Sequence, residues 1–179
     1  RADRLDVRTA SGDVTVDTVQ RSSLVQTASG DIRVGQVEAD AEFRTASGDV
    51  LVGRSQGSVS VHSTSGDVRL AEPLGDVFVR NVSGAVDVES FAQGALEATS
   101  VSGAVTVGLL PGALAKIDLR TVSGPVRNDF QVQDEEPPRD PESDRRVALT
   151  CRTTSGGIRL RRAVASTRTP TATNAWVKS

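Results

Sequence analysis

The stretches TASGDV (residues 9–14), TASGDI (residues 27–32) and TASGDV (residues 45–50) are nearly identical and lie 18 residues apart. The Ser-Gly pair at their centre recurs along the chain, with its serine at Ser11, Ser29, Ser47, Ser65, Ser83, Ser102, Ser123 and Ser155. The successive spacings are 18, 18, 18, 18, 19, 21 and 32 residues. A constant period with later insertions is typical of a protein that stacks one structural unit many times.

Positions counted from each of these serines form columns of similar residues. Three positions after the serine, all eight residues are β-branched and aliphatic: Val14, Ile32, Val50, Val68, Val86, Val105, Val126 and Ile158. The columns five after, four before and six before the serine are mostly apolar as well. Apolar residues at alternate positions predict one strand on each side of the Ser-Gly pair. The glycine permits a sharp corner with a positive φ.

These columns predict an all-β, single-domain parallel β-solenoid of about eight 18-residue coils, right-handed like a β-helix. A third, short side is suggested eight residues after the serine by Val19, Val37, Ser55, Pro73, Phe91 and Leu110. A meander or barrel of sixteen antiparallel strands with two-residue Ser-Gly hairpins would produce the same alternation of inward and outward positions. The near-identity of the columns favours the solenoid, because stacking places like residues above like.

The solenoid is expected over residues 1–163, with an acidic, proline-rich insertion at residues 131–146. The tail at residues 164–179 has no repeat, and Trp176 within it is either a cap for the last coil or part of a linker. No run of 18 apolar residues is present, so no membrane span is predicted. The chain opens within a repeat and without Met, and we therefore expect further sequence upstream.

Two polar columns flank the Ser-Gly corner. The column two before the serine holds Thr9, Thr27, Thr45, Ser63, Asn81, Ser100, Thr121 and Thr153, which we interpret as a structural hydrogen-bonding ladder. Two after the serine stand Asp13, Asp31, Asp49 and Asp67, followed by uncharged residues. One carboxylate per coil is few for Ca²⁺, which takes six to eight oxygen ligands. We expect each Asp to accept hydrogen bonds from backbone N–H groups, helped by Arg33 and Arg69.

An outward basic stripe is the candidate ligand-binding feature. Its column, three before the serine, contains five arginines and the single histidine, and its basic members are Arg8, Arg44, His62, Arg80, Arg120 and Arg152. The neighbouring outward column carries Asp6, Glu42 and Asp118, so opposite charges are expected to pair on one face. The alternatives are a self-neutralised soluble face and a surface for an anionic cell-wall polymer.

The sequence offers little for catalysis or metal binding. His62, the only histidine, lies in the outward stripe, so there is no second histidine from which a Ser-His or Cys-His catalytic pair could be built. One histidine and one cysteine are also too few ligands for a zinc site. Cys151 lies in an inward apolar column and is predicted to be core. No catalytic residue, metal or cofactor is predicted, and a glycan-active solenoid enzyme is the least favoured alternative. The net charge of −2 gives no reason to expect nucleic acid as a partner.

The strings TASGDV, TASGDI, SGDV and NVSGAV resemble a bacterial family of β-strand-repeat proteins described as adhesin-like or as domains of unknown function. The resemblance covers essentially residues 1–163 and implies a non-enzymatic repeat domain, with some members linked to the cell envelope and its stress responses. It supplies no catalytic residues.

We therefore expect a binding or scaffold module, adhesin-like and located at the cell envelope or cell surface. Its partner would be a protein or an anionic envelope polymer. A solenoid that stacks end to end into a polymer is the alternative function.

Overall fold

The computed structural model describes residues 5–110, 114–129 and 146–163. These residues form sixteen β-strands and no helix, so the described ranges contain no helix that could cross a membrane. The strands are β1 (Leu5–Ser11), β2 (Val14–Val19), β3 (Ser23–Ser29), β4 (Ile32–Val37), β5 (Ala41–Ser47), β6 (Val50–Ser55), β7 (Val59–Ser65), β8 (Val68–Pro73), β9 (Val77–Ser83), β10 (Val86–Phe91), β11 (Gly94–Ser102), β12 (Val105–Leu109), β13 (Leu114–Ser123), β14 (Val126–Asn128), β15 (Arg146–Ser155) and β16 (Ile158–Arg162).

The strands form two parallel sheets. Odd-numbered strands make sheet A and even-numbered strands make sheet B, so each odd strand and its even successor form one coil, numbered 1 to 8 along the chain. The Ser-Gly pair joins strands of different sheets and is a corner, with φ values such as 126° at Gly66. The solenoid prediction is therefore confirmed, and the antiparallel meander is excluded for the described strands.

The register places equivalent residues of successive repeats side by side. Thr9 pairs with Thr27, Ser11 with Ser29 and Val14 with Ile32, and the same columns continue through the later coils. The inward columns are buried through coils 2–6 and coil 8 and form one continuous apolar core. The sequence columns thus correspond to the physical ladders of the solenoid.

The short third side is the last part of the sheet B strands. The ladder between β2 and β4 skips Asp17 and Gly35, resumes at the next residue and ends with Val19 beside Val37, and both valines are buried. One predicted member of this side was wrong. The ladder between β10 and β12 shifts after Val88, so that Phe91 pairs with Leu109, and Leu109 rather than Leu110 fills the buried place.

Chain order and stacking order differ at one end of the solenoid. In both sheets the strands of coil 8 lie between those of coils 6 and 7, in the orders β11-β15-β13 and β12-β16-β14. The corner glycines show the same stacking order. A Cβ added at Gly156 would overlap the carbonyl of Gly103, and a Cβ added at Gly124 would overlap the carbonyl of Gly156. Coil 7, not coil 8, is therefore the outermost of the described coils at this end.

The outermost coils cover the core only partly. Val7 and Val16 in coil 1, and Ile117 and Leu119 in coil 7, are partly buried and pack against the core. Val126 of coil 7 is 46% exposed, whereas Ile158 in coil 8 is buried. The predicted insertion, apart from Arg146 at the start of β15, and the tail at 164–179 with Trp176 lie outside the described residues.

Candidate binding surface

The outward basic stripe lies on the solvent face of sheet A. Register partners place its column in the spatial order Arg8, Gln26, Arg44, His62, Arg80, Thr99, Arg152 and Arg120. Neighbouring strands lie roughly 4.8 Å apart in such a sheet. All six predicted residues therefore share one row, in which Arg44, His62 and Arg80 are consecutive and Arg152 lies beside Arg120.

Three of the arginines pair with an acid two residues earlier on their own strand. The distances are 3.2 Å from Arg8 Nε to Asp6 Oδ1, 2.6 Å from Arg44 Nε to Glu42 Oε1, and 3.0 Å from Arg120 Nε to Asp118 Oδ1. These are the pairs expected from the sequence, and that prediction is confirmed. Because the groups are exposed, each pair stabilises the fold by at most about 1 kcal/mol.

Arg80 and Arg152 differ from the other arginines of the stripe. The outward position two residues earlier holds Phe78 for Arg80 and Thr150 for Arg152, so neither has an acid there. Within the described part of the chain, neither guanidinium forms an ion pair. Within the outward basic stripe, these two are the arginines without an ion-pair partner among the described residues.

His62 occupies the middle of the row and is partly buried. Its Nε2 lies 3.4 Å from the hydroxyl of Ser60. Burial lowers the pKa of His62 below its usual value of 6.5, and the charges of Arg44 and Arg80 lower it further, while Glu42 acts in the opposite direction. The imidazole is therefore mostly neutral at neutral pH and can donate one hydrogen bond and accept another.

Two depressions run beside this row. One of about 250 Å³ is lined by Ser60, His62, Phe78, Arg80 and Glu97. The other, of about 540 Å³, lies on the corner side of His62 and Arg80, above the buried polar column. Phe78 is 43% exposed and is the only large aromatic exposed among the described residues. The centre of sheet A thus combines cationic, aromatic and hydrogen-bonding groups around two shallow concavities.

The aspartate column serves the backbone of the corners. Asp13, Asp31 and Asp49 each accept a hydrogen bond through Oδ1 from the backbone N–H of the next Asp in the column, at 3.0, 2.9 and 2.8 Å. Arg33 bridges two coils, with Nη2 2.6 Å from Asp31 Oδ2 and Nη1 3.5 Å from Asp13 Oδ2. This confirms the hydrogen-bonding interpretation. The described residues contain no cluster of three or more metal-ligating side chains.

The polar column before the corner also bonds to corner backbone. Thr27 donates to the carbonyl of Ser29 at 3.2 Å, and Asn81 donates to the carbonyls of Gly66 and Gly84 at 3.3 and 3.1 Å. The hydrogen-bonding interpretation is therefore confirmed for part of the column only. The buried hydroxyls of Thr45, Ser63, Ser100 and Thr153 have no partner among the described residues.

Sequence reasoning missed two sets of polar residues. Asp40 and Asp76, at the second corner, accept hydrogen bonds from the backbone N–H groups of Ser58 and Ala95 at 3.0 and 2.9 Å. They could have been found by counting seven positions back from each serine. The second set is a charged column on sheet B, four positions after the serine, which includes Arg127 and Arg159 as register partners.

Cys151 is unsuited to nucleophilic chemistry. It is buried in the core column of coil 8, as predicted, and burial raises the pKa of its thiol to about 12. The reactive thiolate is therefore scarce at neutral pH.

Comparison with known proteins adds a family but no characterised relative. The chain matches no curated protein and no solved structure. The family model described as Toastrack DUF4097 matches residues 1–161, which span the eight coils up to the last residue but one of β16. This is a domain of unknown function, and its name agrees with the parallel solenoid. The chain therefore belongs to the Toastrack DUF4097 family.

Proposed function

We propose that this chain is a non-enzymatic binding or scaffold module that uses the outward face of sheet A as its contact surface. The observation that carries the proposal is the pair of uncompensated arginines, Arg80 and Arg152, in a row where the other arginines pair with acids. A rigid parallel ladder holds such groups at fixed spacing, which suits a repetitive partner.

An anionic polymer of the cell envelope is the partner class that fits this face. Guanidinium groups bind phosphate and carboxylate through paired hydrogen bonds, and the strand spacing presents them at regular intervals. Phe78 and neutral His62 beside Arg80 add an apolar surface and hydrogen-bonding groups for the uncharged part of a repeating unit. An adhesin-like role at the cell envelope follows from this partner class.

The test measures binding of poly(glycerol phosphate) to the protein and to the double variant Arg80→Ser, Arg152→Ser. A matched control, Arg54→Ser with Arg69→Ser, removes the same charge from sheet B strands. We expect the sheet A variant to bind roughly tenfold more weakly, a change of about 1.4 kcal/mol, and the control to change little. Equal binding by both variants would contradict the proposal. So would cleavage of the polymer by the wild-type protein.

End-to-end assembly is a second candidate function, and the partly covered end coils favour it. Leu5 in coil 1 is 39% exposed and Val126 in coil 7 is 46% exposed. Stacking in register would, however, place Asp6 beside Asp118 and Arg8 beside Arg120, and like charges directly opposite destabilise a ladder. Sedimentation over a wide concentration range tests for assembly, because a protein that remains monomeric at high concentration does not assemble end to end.

A further inference from the structure

Charge is segregated along the solenoid. The residues of coils 1–6 (5–110) contain 14 acidic and 7 basic side chains. The described residues of coils 7 and 8 (114–129 and 146–163) contain 2 acidic and 8 basic side chains. These two coils are neighbours at one end, so the described residues there are strongly cationic, although the chain as a whole has a net charge of −2.

The cationic end extends onto sheet B, outside the predicted stripe. The outward column four after the serine has the spatial order Thr15, Arg33, Leu51, Arg69, Asp87, Thr106, Arg159 and Arg127. In coils 1–6 no two arginines of this column are adjacent, and Arg33 and Arg69 each pair with an Asp two residues earlier. Arg127 and Arg159 break this pattern, since they are direct register partners.

At the place of the paired Asp, these two arginines have no acid. The equivalent of the paired Asp is Pro125 before Arg127 and Gly157 before Arg159. Among the described residues neither guanidinium forms an ion pair, although Arg161, two positions further on, pairs with Asp87 at 3.2 Å. Like charges on adjacent strands are unfavourable, and an anion that contacts both guanidinium groups removes this repulsion.

We infer that the outward face of sheet B at coils 7 and 8 is a second anion-binding surface, on which Arg127 and Arg159 contact neighbouring charges of a linear polyphosphate-like polyanion. This surface faces away from the sheet A stripe and does not depend on it. Two guanidinium groups at strand spacing on an exposed face suit an extended chain with repeated phosphates.

Nucleic acid fits this surface less well than a polymer without bases. Proteins that bind single strands stack bases on aromatic side chains. The described residues of coils 7 and 8 contain no Phe, Trp or Tyr. The described residues of this end therefore offer contacts for phosphates and no aromatic side chain on which a base could stack.

The test compares the full chain with two double variants that remove equal charge from the same column. One is Arg127→Ser with Arg159→Ser, and the matched control is Arg33→Ser with Arg69→Ser. Binding of long-chain inorganic polyphosphate is measured at low ionic strength, and urea unfolding establishes that both variants fold. We expect roughly tenfold weaker binding for the end variant and less than about twofold for the control.

Four outcomes would overturn the inference. Equal losses in both variants would mean that only net charge matters, and unchanged binding would mean that the arginines make no contact. A wild-type dimer at low ionic strength that dissociates in the end variant without polymer would identify a second copy as the occupant. Loss of binding only in the sheet A variant Arg80→Ser, Arg152→Ser would reject this surface while leaving the proposed function intact.

Discussion

Coils 1–6 and coils 7–8 follow the same column pattern but are assembled differently. In the first group each coil stacks on the one before it in the chain. In the second, coil 8 enters between coils 6 and 7. Every coil presents the same inward columns, and several orders would therefore bury similar apolar surface. The pattern determines what stacks at each position of a coil, but not which coil stacks on which.

Connection lengths explain how the exchange is possible. The step from β12 to β13 runs from Leu109 to Leu114, close to the length of the earlier steps between coils. From β14 to β15 the chain runs from Asn128 to Arg146 and returns from the outermost coil to an inner one. A longer connection adds little entropic cost. The acidic segment predicted as an insertion thus lies in the connection that makes this return.

The sequence of coil 7 suits its outer position. Asn128 occupies a column that is aliphatic in the other coils, and it is exposed. Pro125 occupies the column in which backbone N–H groups of coils 2–5 donate to an Asp of the preceding coil. Coil 8, which precedes coil 7 in space, has Gly157 there and offers no carboxylate, so a proline loses no bond.

The largest expected effect comes from corner glycines. At Gly66, an interior corner with φ 126°, a Cβ would overlap the carbonyl of Gly48. At Gly12, in outermost coil 1, φ is 117° but nothing lies within 4 Å of an added Cβ. We expect Gly66→Ala to lower the free energy of unfolding by more than about 4 kcal/mol, and Gly12→Ala by roughly 1–2 kcal/mol. Urea unfolding measures both, and equal losses would contradict the interior and outer assignments.

The order of coils 7 and 8 predicts unequal costs for two inward leucines, Leu149 in the column six before the serine and Leu119 in the column four before it. Leu149 in coil 8 is 1% exposed, whereas Leu119 in coil 7 is only partly buried. We expect Leu149→Ala to lower the free energy of unfolding by about 3 kcal/mol and Leu119→Ala by about 1 kcal/mol. If the coils stacked in chain order, the larger loss would belong to Leu119.

Cross-linking tests the same order without relying on stability. Thr99 and Arg152 are register partners, whereas Thr99 and Arg120 are two strands apart. A disulfide needs Cα atoms within about 7 Å. The pair Thr99→Cys, Arg152→Cys should therefore oxidise to a disulfide detected by mass spectrometry, and the pair Thr99→Cys, Arg120→Cys should not.

The aspartate ladder gives a smaller difference between the two groups of coils. Asp49 accepts a hydrogen bond from the backbone N–H of Asp67 at 2.8 Å. In the same column coil 6 has Ala104, coil 7 has Pro125 and coil 8 has Gly157, none of which can act as a side-chain acceptor. Asp49→Ala removes the acceptor, and we expect a loss of about 1–2 kcal/mol in the free energy of unfolding. Asp49→Asn keeps an acceptor oxygen and should lose less. Equal losses would mean that charge, not hydrogen bonding, is what the ladder needs.

The sequence predicted local structure better than relations between coils. Strands and corners follow from residues close together in each repeat, where parity and turn chemistry decide, and the aspartate bonds join residues of one column in adjacent coils. The place of Leu109 depends on a one-residue shift in the ladder, which the fixed column count misassigned to Leu110. Leu24 belongs to the outward column of Asp6 and Glu42, its register partners, yet it is buried and lies outside the core cluster. Burial of this kind arises from contacts between neighbouring coils and cannot be inferred from one repeat.

The smallest expected effect is a pH dependence of the free energy of unfolding. It arises in an interior coil, because the only histidine, His62, lies in coil 4. Burial and the neighbouring Arg44 and Arg80 lower its pKa in the folded protein below 6.5, the value expected in the unfolded chain. Protons therefore bind more readily to the unfolded state, and the contribution of His62 to stability is complete above pH 6.5. As the pH falls from there toward the folded pKa, stability is lost. Urea midpoints of the wild type and of His62→Gln should diverge below pH 6.5, with the wild type losing more. Parallel curves would show that the imidazole is as well solvated as in the unfolded chain, and would remove the neutral hydrogen-bonding group from the centre of the proposed binding surface.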